Sequence, residues 1–147
     1  MVIRKQMDYA LKRLFKGKAF IVFGPRQSGK TTFVRAFLRS LHYTGPVKSP
    51  TFTIVEEYDV KTTEGEIAIY HFDLYRLFDP EELEFIGIRE YFTTQAICLI
   101  EWPEKAGTLL PQPDLSCYIE WCAEGREFRC DAHSPRGEEI LVRVKEM

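Results

Sequence analysis

The stretch Ala19-Phe20-Ile21-Val22-Phe23-Gly24-Pro25-Arg26-Gln27-Ser28-Gly29-Lys30-Thr31 decides how the rest of the chain is read. Its first five residues are apolar and rich in β-formers, as a buried strand requires. Its last eight fit G-x-x-x-x-G-K-[ST], the pattern of a phosphate-binding loop. Beyond them Phe33, Val34, Phe37, Leu38 and Leu41 fall on one face of a helix. Strand, glycine-bounded loop and helix together are the context that the motif needs. Gly24 and Gly29 allow backbone turns that side chains disfavour and a close approach to a ligand. Successive N–H groups of such a loop form a concave anion site, and the helix that starts near Gly29 adds its free N–H groups and the positive end of its dipole. On this reading Lys30 reaches the β- and γ-phosphates and the Thr31 hydroxyl ligates Mg²⁺. The competing reading is an ordinary strand–turn–helix with Lys30 as a solvated surface lysine.

Working outward, 147 residues are the size of one domain, taken as residues 1–147, and are enough for a real core. Apolar residues at 45% and charged residues at 29% are ordinary for a soluble globular protein. A formal net charge of −2 speaks against a large basic surface, and so against tight direct binding to naked nucleic acid. Cys98, Cys117, Cys122 and Cys130 form no C-x-x-C pair and are expected as free thiols of a reducing compartment. No signal peptide or membrane span is read, so a cytoplasmic location without membrane contact is expected.

Residues 6–15 carry Met7, Ala10, Leu11, Leu14 and Phe15 at helical spacing, and Gly17 stops that helix. Residues 42–50 are a turn-rich connection with breakers at Gly45-Pro46 and Ser49-Pro50. Residues 51–58 and 66–72 read as two strands joined as a hairpin through a polar turn at 61–65. Residues 80–92 read as a helix broken once near Gly87, with Asp79 as cap, Pro80 at the first helical position, and Leu83, Ile86 and Ile88 inward. Residues 96–100 are the most apolar later stretch and are taken as a central strand that Pro103 ends. Residues 115–121 and 126–132 flank Gly125 as a late hairpin, and 136–147 as a short helix. The expected fold is α/β: a P-loop NTPase, a three-layer sandwich whose mixed sheet is parallel at its centre and antiparallel at its edges.

A phosphate loop grips phosphate, but hydrolysis also needs an acidic group near Mg²⁺ and something to orient water. Asp73 closes one apolar strand and Glu101 another. If both strands run parallel to residues 19–23, both carboxylates end on the ligand side of the sheet. Asp73 then suits a direct or indirect Mg²⁺ contact. Glu101 suits a metal contact or the positioning of water. The alternative for each is a carboxylate capping the next loop. Thr51, in Ser49-Pro50-Thr51-Phe52, lies where nucleotide-sensing segments order, or is only part of a Ser-Pro turn. Arg76 meets phosphate or pairs with a nearby acid such as Asp79. Trp102 reads as packing, and His71 as a hydrogen-bonded structural histidine.

Four motifs in this order resemble the TsaE (YjeE) family. They are Gly29-Lys30-Thr31-Thr32-Phe33-Val34-Arg35, Ser49-Pro50-Thr51-Phe52, His71-Phe72-Asp73-Leu74-Tyr75-Arg76 and Ile100-Glu101-Trp102-Pro103-Glu104. The match runs from about residue 8 to residue 113. The resemblance implies a bacterial cytoplasmic ATPase that supports threonylcarbamoyladenosine formation at tRNA position 37, with ATP and Mg²⁺ bound. It implies the partners TsaB and TsaD, with tRNA reached indirectly through their complex. It also implies catalytic roles for Lys30, Asp73 and Glu101, and metal contacts from Thr31, Asp73 and Glu101. Nucleotide contacts fall to Gly24, Pro25, Arg26, Gln27, Ser28, Gly29, Lys30, Thr31, Thr32 and the switch-like Thr51, with Trp102 near the site. The loop departs from the family pattern: Gln27 stands where a glycine is common, and Arg26 adds a positive charge.

Two other functions fit a phosphate loop. A small-molecule kinase would need an arginine-rich lid, and residues 80–92 offer several acids but only Arg89. A non-hydrolysing ATP-sensing module would bind tightly without turnover.

Overall fold

In the computed structural model the described residues are 19–23, 30–50, 52–62, 65–93, 95–123 and 125–145. The helix expected at 6–15, the loop residues Gly24 to Gly29 and Thr51 lie outside them. The elements run β1 (Ala19–Phe23), α1 (Lys30–Ser40), β2 (Val55–Thr62), β3 (Gly65–Asp73), α2 (Glu81–Phe85), α3 (Ile88–Thr93), β4 (Ala96–Glu101), β5 (Leu115–Cys122), β6 (Gly125–Ala132) and α4 (Pro135–Lys145). A short 3₁₀ turn, Pro103–Ala106, follows β4.

One six-stranded sheet has the order β2-β3-β4-β1-β5-β6. Its four inner strands pair in parallel, and the hairpin partners β2 and β6 run antiparallel at the two edges. This is the expected mixed α/β arrangement. All six residues of β4 are buried, as a central strand covered on both faces demands. Because side chains alternate across a strand, one core gathers Ile69, Ile97 and Leu99 under Val34, Phe37 and Leu38 of α1. The other gathers Phe72, Cys98 and Ile100 against Leu83, Ile88 and Phe92. Helices on both faces make three layers.

Three local readings change. The strand expected from Thr51 starts at Val55 and extends to Thr62. Its beginning is displaced by a turn in which the Ile54 N–H donates to Pro50 O at 2.8 Å, with Ile54 in the left-handed region at φ 68°. Lys61, Thr62 and Gly65, expected in a polar turn at 61–65, belong to the strands, where Lys61 pairs with Glu66 and Thr62 with Gly65. Cys117 and Cys130 are not free thiols. They are directly opposed in the β5–β6 register with Cα atoms 4.3 Å apart, and their sulfurs form a disulfide. That close separation is typical of a non-hydrogen-bonded pair in an antiparallel ladder. Cys98 stays a buried thiol.

Elsewhere the local chemistry acts as read. Gly87, at φ 70°, separates α2 from α3. The Asp79 carboxylate accepts the Glu81 N–H at 2.9 Å, while Glu82 accepts the Asp79 N–H at 2.9 Å, a reciprocal arrangement of the capping-box kind. At α4 the cap is Ser134, one residue before Pro135. Its hydroxyl accepts the Gly137 N–H at 2.9 Å and donates to Asp114 at 2.6 Å.

The edge strand β2 also holds the connection that leads to the candidate site. The buried Tyr58 hydroxyl donates to Lys48 O and accepts the Lys48 N–H, both at 3.1 Å. Tyr58→Phe leaves both Lys48 groups without this partner. It is expected to cost about 1–2 kcal/mol in urea unfolding. Burial, first among its influences, raises the Tyr58 pKa above its ordinary 10.0. The neutral phenol is therefore favoured in the folded state. Its contribution is complete below the unfolded tyrosine pKa and falls as pH rises through the higher folded value. A stability profile should show an alkaline loss that is smaller in Tyr58→Phe.

Candidate functional site at the carboxyl edge of the sheet

Parallel pairing brings three strand ends to one place. Phe23 of β1 pairs with Glu101 of β4, and Glu101 pairs with Asp73 of β3. The six residues after Phe23 join it to Lys30, the first residue of α1. The start of the loop helix and both candidate carboxylates thus share the carboxyl edge of the sheet. In open α/β sheets that edge is where ligands bind. Strand alternation puts His71, Asp73 and Glu101 on the same face as Ile69, Ile97 and Leu99, the face that α1 covers. Lys30 and Thr31 lie in the first turn of α1, and Thr32 is exposed beside them.

The two carboxylates have different surroundings. Glu101 is only 4% exposed, and the His71 Nε2–H donates to its Oε2 at 2.9 Å. Asp73 is half-buried, and its Oδ1 accepts the Tyr75 N–H at 3.0 Å. One Asp73 oxygen therefore does shape the loop, as the capping alternative holds. Glu101 instead engages a side chain of the neighbouring strand. Side chains paired across adjacent strands sit about 5 Å apart, and like charges so placed repel. Two carboxylates side by side make a place where a hard cation is favoured.

The surrounding backbone is tied to both acids. The Asp73 N–H donates to Ile54 O at 2.9 Å, and the Leu74 N–H donates to Glu101 O at 3.1 Å. Trp102, directly after Glu101, holds a left-handed φ of 58°, an uncommon state for a bulky residue. Together with Ile54 it gives two strained positions beside the acids, which are characteristic of functional sites. The Trp102 ring lies 5.0 Å from that of Tyr75. Arg76 does not take Asp79. Its guanidinium sits 4.4 Å over the ring of Phe52, which is 83% exposed. That contact closes the 52–54 turn onto the segment after β3.

Sequence reasoning read His71 as hydrogen-bonded, and the structure supplies the partner. The link to Glu101 spans 30 residues and follows only from the parallel register of β3 and β4. The pairing of Phe52 with Arg76 carried no sequence signal.

A family model described as threonylcarbamoyl adenosine biosynthesis protein TsaE matches residues 4–130. The chain belongs to the TsaE family. A Haemophilus influenzae relative named tRNA threonylcarbamoyladenosine biosynthesis protein TsaE is 45% identical over 139 residues, covering 93% of this chain and 85% of that protein. A Bacillus subtilis protein of the same name is 40% identical over 104 residues, covering 71% of this chain and 62% of its own length. The crystal structure of Bacillus subtilis YdiB aligns with a TM-score of 0.73 at 28% identity, covering 99% of this chain and 91% of that one. The TsaE family is thus named for tRNA threonylcarbamoyladenosine biosynthesis. All four motifs quoted above fall inside the matched residues.

The buried His71–Glu101 pair gives a stability test. Glu101→Leu alone strips the imidazole of its acceptor and is expected to cost about 1–3 kcal/mol in urea unfolding. The double variant His71→Leu/Glu101→Leu should lose less than the sum of the two single changes, because both buried polar partners leave together.

Proposed function

We propose that the chain is a P-loop ATPase that binds and hydrolyses Mg²⁺–ATP in support of threonylcarbamoyladenosine modification of tRNA position 37. On this reading it acts in the cytoplasm with TsaB and TsaD and reaches tRNA through them. The observation that carries the reading is the register Phe23–Glu101–Asp73, next to the strand–loop–helix passage from β1 to Lys30. Membership of the TsaE family sets the pathway.

The donor set suits the cation. Two adjacent carboxylates and the Thr31 hydroxyl are hard oxygen donors, the kind that Mg²⁺ takes along with phosphate and water. Bound there, the ion would neutralise charge on the phosphate oxygens. The chain's own groups do the rest. The backbone N–H groups of Arg26, Gln27, Ser28 and Gly29 in the loop that opens at Gly24 and Pro25 would cradle the phosphates, Pro25 itself having no N–H to give. Lys30 would balance their charge, with Thr32 and Thr51 at the margins of the nucleotide. Asp73 would hold the metal side, and Glu101 would orient water for attack on the terminal phosphate. Trp102 and Tyr75 would limit access of bulk water beside Glu101. The kinase alternative needs a free lid arginine, whereas Arg89 bridges Glu84 at 3.0 Å.

The test separates binding from turnover. Lys30→Ala should weaken Mg²⁺–ATP binding roughly 10–100-fold in nucleotide titration, as loss of charged hydrogen bonds predicts. Unchanged affinity would remove the phosphate-loop assignment. Asp73→Asn and Glu101→Gln should keep most of the affinity but lose about 10²-fold or more in single-turnover hydrolysis. Tight binding with no turnover in the unchanged chain, alone and with TsaB and TsaD, would instead identify a sensor. Transfer to a small acceptor faster than to water would identify a kinase.

A further inference from the structure

The geometry points to His71 as a positioning residue that fixes the Glu101 carboxylate for water orientation. This inference rests on the role proposed above for Glu101. His71 has no exposed surface, and its Nε2 lies 2.9 Å from Glu101 Oε2. A carboxylate only accepts hydrogen bonds, so the proton of this contact sits on Nε2. Nδ1 is buried and has no hydrogen-bond partner among the described residues. An imidazole used only as filling would be a poor choice here. A phenyl or isobutyl group would occupy the same apolar layer without leaving a buried polar atom unpaired. The ring is therefore explained by its bond to Glu101. It reaches diagonally from β3 to the last residue of β4, across the same face of the sheet. Ile69, Ile97 and Leu99, all fully buried on that face, pack the strands that hold the ring and the carboxylate. With Oε2 held by His71, the second carboxylate oxygen is the one available to the reaction.

The orientation matters because an outer partner of this kind fixes the rotamer of an acidic group without touching substrate. Loss of such partners costs about 10–100-fold in activity or affinity at comparable sites. His71→Leu should therefore lower kcat of ATP hydrolysis by about 10–100-fold with KM and nucleotide affinity nearly unchanged. His71→Gln, whose side-chain amide can offer an N–H near the Nε2 position, should recover most of that loss. A His71→Gln rate as low as that of His71→Leu would overturn the assignment, as would a change confined to KM. A second readout needs no nucleotide. Long-range ¹H–¹⁵N correlation spectra of the unliganded protein should show His71 with its proton on Nε2, and Glu101→Gln should shift that signal. A proton on Nδ1 would overturn the proposal even if both His71 variants failed to fold. Full hydrolysis by Glu101→Ala would overturn it too, and would mark the fault in the role of Glu101 rather than in the tautomer.

Discussion

Everything at the candidate site depends on the parallel pairing of β3, β4 and β1 in a single register. Each strand alone ends in a residue with no special partner. Paired, they set Asp73 beside Glu101 and Glu101 beside Phe23. The pairing is stable because β4 is buried along its whole length. A central strand sealed between two layers has no solvent-facing side to which it could slip, and a shift of one residue would exchange its two faces. The apolar core thus does more than stabilise the fold. It fixes to within one residue where two charged side chains come together.

The burial of Glu101 follows from the same geometry and has a cost. A charged group at 4% exposure gives up most of its hydration, which a hydrogen bond from an adjacent imidazole partly replaces. Asp73, half-buried one strand further out, instead uses a backbone N–H of its own loop. The two acids are chemically alike but differently constrained. Glu101 is held from the neighbouring strand, and Asp73 by the chain that follows it. The Cys117–Cys130 disulfide lies on the other side of β1, where β5 and β6 close the sheet away from both acids.

The sequence made the layout legible where the signals were local. Five apolar residues ahead of Gly24, the alternation in β3, the run 96–100, and Asp79-Pro80 with Gly87 each encode their own element. Even the placement of Asp73 and Glu101 at strand ends could be read, subject to strand direction. What escaped reading was one tight turn and whatever depended on pairs distant in sequence. The start of β2 moved to Val55 because a hydrogen bond from Ile54 to Pro50 prevails over the β-propensity of residues 51–54. The disulfide needed the β5–β6 register, which sets Cys117 opposite Cys130. The partner of His71 required knowing that β3 and β4 lie side by side. Propensity has no access to any of these.

One backbone hydrogen bond has a wider meaning. The Ile54 carbonyl receives the Asp73 N–H, and Ile54 is itself held in the left-handed region by the turn from Pro50. Ile54 and the acid at the end of β3 are therefore mechanically one unit. A ligand that reshaped residues 52–54 would pull on the backbone of Asp73 through this bond, with no intervening side chain to absorb the motion. Loop and acid cannot be tuned separately, in a single molecule or over generations of variants: a substitution that relaxes Ile54 also resets the acid at the sheet edge.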